Sequence, residues 1–106
     1  QGTRPSTTVA LQALLMMNSP HVRGWAGAFA KRCSPSPTDS LADVVTRAYS
    51  LALNRPPTKR ERADATAFIE EQLARYRAEH PIEARELALT DFAQVILSLN
   101  AFIYVD

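Results

Sequence analysis

The chain has 106 residues, of which 46% are apolar and 22% are charged. This length and composition fit one globular domain with its own core and argue against wholesale disorder. The formal net charge is +1, and the basic residues are spread along the chain, which argues against a nucleic-acid-binding protein. The single cysteine, Cys33, excludes an intrachain disulfide and a multi-cysteine metal site. No apolar run approaches the ~20 residues that span a bilayer.

The spacing of apolar residues, caps and prolines predicts a compact all-α bundle of about five helices with proline-rich connections. The predicted helices cover approximately residues 8–17, 20–32, 40–53, 59–79 and 90–103. Residues 1–6 carry no apolar period and are expected to form an extended arm. We interpret residues 1–106 as a single helical domain and, because the chain starts with Gln1 and not Met, as a fragment of a larger protein.

The first predicted helix is apolar on nearly all sides. Between Val9 and Met17 only Gln12 is polar, whereas a surface helix carries a polar face. Such a helix either lies at the centre of the domain, which is the favoured interpretation, or docks its second face onto a preceding domain or a partner. Asn18 and the following Ser-Pro pair are expected to end this helix and to begin the next one.

The helix predicted over residues 20–32 has four apolar residues at helical spacing. They are Val22, Trp25, Ala26 and Phe29. Gly24 and Gly27 each cost roughly 1 kcal/mol against Ala inside a helix, so they indicate close approach of a neighbouring helix. The expected neighbour is the segment 8–17.

Two proline-containing segments are expected to separate the later helices. Residues 34–39 have two prolines and no periodicity, and are predicted to form a loop. Arg55 precedes two further prolines, which end the helix predicted over residues 40–53. The Arg55 side chain is expected to reach back to the free carbonyl groups of that helix end.

The sequence also predicts where the last two helices begin. Thr58 and Glu61 have the spacing of a capping box. The final helix is expected to start near Thr90 or Asp91, after a short helical turn over residues 82–89.

No motif in the sequence indicates catalytic or metal-binding chemistry. The two histidines, His21 and His80, stand near helix ends without the spacing of a metal site, and nucleophile motifs such as G-x-S-x-G are missing. We interpret Cys33 as a packed or inert thiol, although Lys31 and Arg32 would lower its pKa if it were exposed. We therefore assign no catalytic, cofactor-binding or metal-binding residue, and we expect no cofactor.

Three stretches, taken together, carry a family resemblance. They are residues 7–14 (TTVALQAL) with 18–20 (NSP), residues 53–58 (LNRPPT) and residues 100–106 (NAFIYVD). In this order and spacing they resemble the C-terminal part of the planctomycete-specific domain of unknown function. The resemblance implies export to the periplasm or cell surface, a longer parent protein that often carries a cytochrome-c-like domain, and contact with its upstream domains. The family commonly has an acidic residue where this chain has Ala101, which favours a structural over a catalytic role for that position.

The sequence therefore favours a non-catalytic helical interaction or packing module of a larger exported multidomain protein. Its partners would be upstream domains of the same chain or other proteins, with no nucleic acid and no membrane span. The candidate interaction residues are Leu11, Gln12, Leu15, Asn18, Arg55 and Tyr104.

Two alternatives stay open. In the first, the chain contributes residues to a redox or polysaccharide-related active site formed with upstream domains; the candidates are Gln12, Asn18, His21 and Arg55. In the second, the chain binds a small ligand or a glycan through aromatic side chains; the candidates are Trp25, Tyr49, Tyr76 and Tyr104.

Overall fold

The computed structural model describes residues 20–104, with the side chains of residues 20–99. This part of the chain contains four α-helices and no strand, which confirms the all-α prediction. The helices are α1 (Pro20–Cys33), α2 (Leu41–Leu53), α3 (Lys59–Glu79) and α4 (Ala84–Tyr104). The structure thus describes four helices, not about five, because the predicted arm over residues 1–6 and the predicted helix over 8–17 lie outside the described residues.

The last helix, α4, is the central element of the described part. It packs along α1 and along α3, and α2 contacts all three other helices. Small residues of α4, such as Ala88 and Ala93, allow the neighbouring helices to approach, while Phe92 and Ile96 fill the core. Burial of a side chain of the size of Ile96 contributes roughly 1.5–3 kcal/mol. Within residues 20–104, none of the helices combines the length and the apolar character needed to cross a membrane.

The prediction that the last helix begins near residue 90 is wrong. Helix α4 begins at Ala84 and continues through Thr90 and Asp91, so residues 84–89 are its first turns and not a separate element. The Thr90 hydroxyl donates a hydrogen bond to the Glu86 carbonyl oxygen at 2.8 Å, inside the same helix. The Asp91 side chain bonds residues of other helices. Neither side chain is free to cap a helix, because each is used elsewhere.

Trp25 belongs to the apolar pattern of the helix over residues 20–32 but not to its buried face. This side chain is 68% exposed, and the buried residues of α1 are Ala26, Ala30 and Cys33. The close approach inferred from the two glycines concerned the segment 8–17, which lies outside the described residues; the described helices themselves do not approach the glycines closely. A Cβ atom at Gly24 would meet no atom within 4 Å, and one at Gly27 would meet only the Thr90 Oγ1 atom at an ordinary 3.9 Å. A narrow stripe of small residues, and not the tryptophan, faces α4.

Local hydrogen bonds begin and end the middle helices. The Ser40 hydroxyl accepts from the backbone N–H of Asp43 at the start of α2. Asn54 ends α2 in the left-handed conformation, with φ of 58°. The capping box of Thr58 and Glu61 at the start of α3 is confirmed, since each side chain accepts from the other's backbone N–H. Each bond satisfies a backbone group that a helix end leaves without a partner.

The loop between α1 and α2 is held by two arginines from other parts of the fold. Arg85 Nη2 donates to the Ser34 hydroxyl at 2.9 Å and to the Asp39 carbonyl oxygen at 2.8 Å. Arg47 Nη1 donates to the Cys33 carbonyl oxygen at 2.9 Å. The predicted loop over residues 34–39 is therefore confirmed, and its backbone is tied to α2 and α4.

Candidate functional site

A buried group of polar side chains joins α1, α3 and α4, and we call it the Asp91 cluster. Its five members are Arg23, Gln72, Tyr76, Asp91 and Gln94. Asp91 is 7% exposed and Gln94 is 2% exposed, whereas the other three are partly buried at the rim. Buried polar side chains normally have hydrogen-bond partners and need a structural or functional explanation. For this reason the cluster is the first candidate for a site.

The carboxylate of Asp91 is the centre of the cluster and accepts three bonds. Arg23 Nη1 lies 2.6 Å from Asp91 Oδ1. Gln72 Nε2 and the Tyr76 hydroxyl donate to Asp91 Oδ2 at 2.7 and 2.9 Å. Arg23 Nη1 also donates to Gln94 Oε1 at 2.8 Å. The negative charge of Asp91 is thus matched by one guanidinium and by two neutral donors.

Helical spacing explains how each helix supplies its part of the cluster. Gln72 and Tyr76 are four residues apart on α3, and Asp91 and Gln94 are three apart on α4, so each pair shares one face of its helix. Arg23 lies in the first turns of α1. No local motif predicts the cluster, since Arg23 and Asp91 are 68 positions apart in the sequence.

The cluster also alters the acidity of one member. Burial raises the pKa of the Tyr76 hydroxyl, and its hydrogen bond to the Asp91 carboxylate and the negative charge there raise it further. Tyr76 is therefore held as a neutral donor. The Arg23 side chain lies at the rim of the cluster and is 34% exposed.

All buried polar side-chain atoms in the described part of the chain have a hydrogen-bond partner. In the Asp91 cluster these partners come from within the protein. Each of its five side chains bonds at least one other member. The arrangement is suited to fixing three helices relative to each other.

A second arginine–carboxylate pair lies at the connection between α2 and α3. Arg55 donates to both carboxylate oxygens of Glu61 at 2.8 and 2.9 Å, and its guanidinium lies 5.5 Å from the centre of the Tyr49 ring. The prediction that Arg55 reaches the carbonyl groups at the end of α2 is wrong, because Glu61 and the Pro56 carbonyl take its donors. A bidentate carboxylate is a stronger partner than a single carbonyl group.

The contacts of this pair shift the pKa values of Glu61 and of the nearby Tyr49. The Arg55 hydrogen bond holds the pKa of Glu61 below its ordinary value of 4.5, and burial opposes this only in part. Burial raises the pKa of Tyr49 to about 12, and the negative charge of Glu61 contributes to that increase.

The other predicted site residues are not brought together in the described part. Four of them, Leu11, Gln12, Leu15 and Asn18, lie outside the described residues. The backbone of Tyr104 ends α4, and its side chain is outside the described ones. His21 is exposed, with its ring 6.5 Å from the ring of Trp25, whereas Arg55 contacts Glu61 and Tyr49. Of the aromatic candidates for ligand binding, Tyr49 is buried and Tyr76 belongs to the Asp91 cluster.

The interpretation of Cys33 as a packed thiol is confirmed. Its side chain is 2% exposed, and burial raises the pKa of the thiol to about 11 against the opposing charges of Arg32 and Arg47. At neutral pH it is therefore protonated and shielded. Among the described residues, no group of three or more His, Cys, Asp or Glu side chains is placed to hold a metal ion.

Residues 1–69 match the model of a family described as PSD1: Protein of unknown function (DUF1553). The match covers more than half of the chain. The chain belongs to this family. No curated protein and no solved structure matches it.

The family match includes α1, α2 and the first half of α3, but α4 lies beyond it. Within the Asp91 cluster only Arg23 is in the matched part. The cluster therefore joins α1, in the matched segment, to the second half of α3 and to α4, which lie beyond it.

Proposed function

We propose that this chain is a non-catalytic helical packing module of a larger exported multidomain protein. The observation that supports the proposal is that the side chains of the Asp91 cluster bond to one another. The polar side chains that most resemble a site form these hydrogen bonds with each other, and the bonds join three helices. A catalytic or ligand-binding site needs groups that are held in place but still available to the ligand.

The second support is the exposed apolar surface of α1. Trp25 is a large side chain, and tryptophan is enriched where proteins contact each other. Its 68% exposure supports a contact with something beyond the described residues. On the resemblance described above, we propose that the chain is the C-terminal part of the planctomycete-specific domain and that it contacts upstream domains of an exported parent protein.

The structural role of the Asp91 cluster is tested by Asp91→Asn, which keeps the size of the side chain and removes its charge. We expect the free energy of unfolding to fall by about 2–4 kcal/mol, since Arg23 loses its counter-charge and Asn cannot accept all three bonds equally well. Urea denaturation followed by circular dichroism measures this loss.

Asp64→Asn is the matched control. Asp64 forms an exposed pair with Arg60 at 3.5 Å, and its loss should change the free energy of unfolding by less than about 0.5 kcal/mol. A carboxylate kept for a ligand is a cost to stability, and its removal often stabilises a protein. An Asp91→Asn variant as stable as the unchanged chain, or more stable, would therefore contradict the packing function.

A further inference from the structure

Helix α1 contributes less to the apolar core than the other three helices do. Its buried residues are Ala26, Ala30 and Cys33, which are all small. Among the described side chains, the four largest that are fully buried and apolar belong to α2, α3 and α4. They are Val44, Val45, Ile69 and Ile96. Because the free energy gained on burial grows with the apolar area removed from water, the packing of α1 stabilises the fold less.

The surface of α4 beneath α1 is partly polar. Arg23 bonds Asp91 and Gln94 at 2.6 and 2.8 Å. A Cβ atom at Gly27 would meet the Thr90 Oγ1 atom at 3.9 Å, so Thr90 faces α1 as well. The three α4 side chains are at most 7% exposed while α1 is in place. This contact thus combines small apolar residues with a buried ion pair.

Separation of α1 from α4 differs from the removal of one charged partner. When the helices separate, Arg23 and Asp91 both return to water, and the hydration that they regain offsets much of the attraction that they lose. When Arg23 alone is substituted, Asp91 stays buried without its counter-charge, which is costly. The ion pair therefore adds little to the free energy needed to separate the two helices.

The other three helices stay in contact with each other when α1 is left out. The backbone of α1 runs beside α4 and α2 but not beside α3. Helices α2, α3 and α4 each contact the other two, and they contain the large core residues. Elements with few buried apolar contacts are those that open locally, at a lower free energy than global unfolding.

We propose that α1 is a strap that opens from α4 as a unit while α2, α3 and α4 stay folded. Its opening uncovers Thr90, Asp91 and Gln94, which the closed fold shields from water and from other molecules. The inference goes beyond the proposed packing function, because it concerns a motion within the chain and not a contact with neighbouring domains.

Native-state hydrogen exchange of the complete 106-residue chain tests this opening. Amide groups from Ala26 to Ala30 should have protection factors at least tenfold lower than those from Phe92 to Ile96. Their exchange should also depend less on urea, because the opening of one helix exposes less surface than global unfolding does. Equal protection and equal urea dependence in the two helices would overturn the proposal.

Ile69→Val then separates the opening of α1 from unfolding of the core. Ile69 is fully buried on α3, so the substitution should raise the exchange rates in α4 roughly fivefold and leave those in α1 unchanged. If the chain opened only as a whole, the rates in both helices would rise by the same factor. That result would contradict the proposal.

Arg23→Met tests the ion pair in the same experiment. It should raise the exchange rates in α1 about a hundredfold, because Asp91 is buried without a counter-charge only while α1 is closed. The matched control is Arg32→Met, the same change at an exposed position of the same helix, which should raise these rates less than about threefold. Equal effects of the two substitutions would show that Arg23 does not hold α1 closed.

Where a variant does not fold, the exchange and the urea dependence of the unchanged chain decide the question. Failure of this inference is separable from failure of the packing function. The packing function is measured by the free energy of unfolding of Asp91→Asn, whereas the strap is measured by the difference in exchange between α1 and α4.

Discussion

The Asp91 cluster and the Arg55–Glu61 pair both join an arginine to a carboxylate with bonds shorter than 3 Å, yet they hold the fold in different ways. Arg23 and Asp91 are 68 positions apart, and the Asp91 side chain is almost fully buried. Arg55 and Glu61 are six positions apart and remain partly open to water. The first joins three helices, whereas the second closes one connection.

We expect burial, more than bond length, to set how much such a pair contributes to stability. An exposed ion pair contributes little to the free energy of unfolding, because water screens the two charges and solvates them when they separate. A buried carboxylate has no such alternative, so the loss of its counter-charge is costly. A third pair, Arg75 with Glu71 on the surface of α3, extends the comparison to a mostly exposed case at 3.7 Å.

The largest effect should come from Arg23→Met, which keeps the aliphatic stem and removes the charge. Asp91 would then retain only Gln72 and Tyr76 as partners in a buried position. We expect the free energy of unfolding to fall by about 3 kcal/mol in urea denaturation. If Arg23→Met lowered the free energy of unfolding no more than the loss of an exposed arginine does, burial would not explain the difference between the pairs.

A smaller effect is expected from Glu61→Gln. Gln still serves a capping box, so the variant isolates the charge of the Arg55 pair, and the loss at neutral pH should be about 0.5–1 kcal/mol. Because the folded protein lowers the pKa of Glu61, this stabilisation is present above its ordinary value of 4.5 and is lost as the pH falls through the folded pKa.

Urea denaturation of the two proteins between neutral and acidic pH checks the Glu61 prediction. The two stabilities should converge in acid. If the difference between them were the same at every pH, the charge of Glu61 would not be its cause.

The smallest effect should come from Arg75→Met. Its partner Glu71 is four residues earlier on the same helix, and both side chains are mostly exposed. The free energy of unfolding should change by less than about 0.5 kcal/mol, and high salt should reduce even that difference. A loss comparable with that of Arg23→Met would show that burial is not the deciding factor.

Features that depend on neighbours in the chain could be predicted. The capping box of Thr58 and Glu61 and the helix stop before Pro56 follow from residues a few positions apart. The sequence also indicated a packed Cys33, since an isolated cysteine usually behaves as a small apolar residue. Predictions were wrong where a side chain could bond either the nearby backbone or residues far away in the sequence. Thr90 and Asp91 have the composition of a helix cap, but the distant partners of Asp91 place it in the interior of α4.

The sequence by itself determined the all-α class, the approximate extent of α1, α2 and α3, and the proline-rich connections, because helix periodicity and capping act over less than two turns. Only the tertiary structure decided which face of α1 is buried, where α4 begins, and that Arg23, Gln72, Tyr76, Asp91 and Gln94 form one cluster. Trp25 and Ala26 are adjacent and both belong to the apolar pattern of the helix, so periodicity does not choose between them. The choice depends on which side chains fit against α4, and that is a property of two helices together.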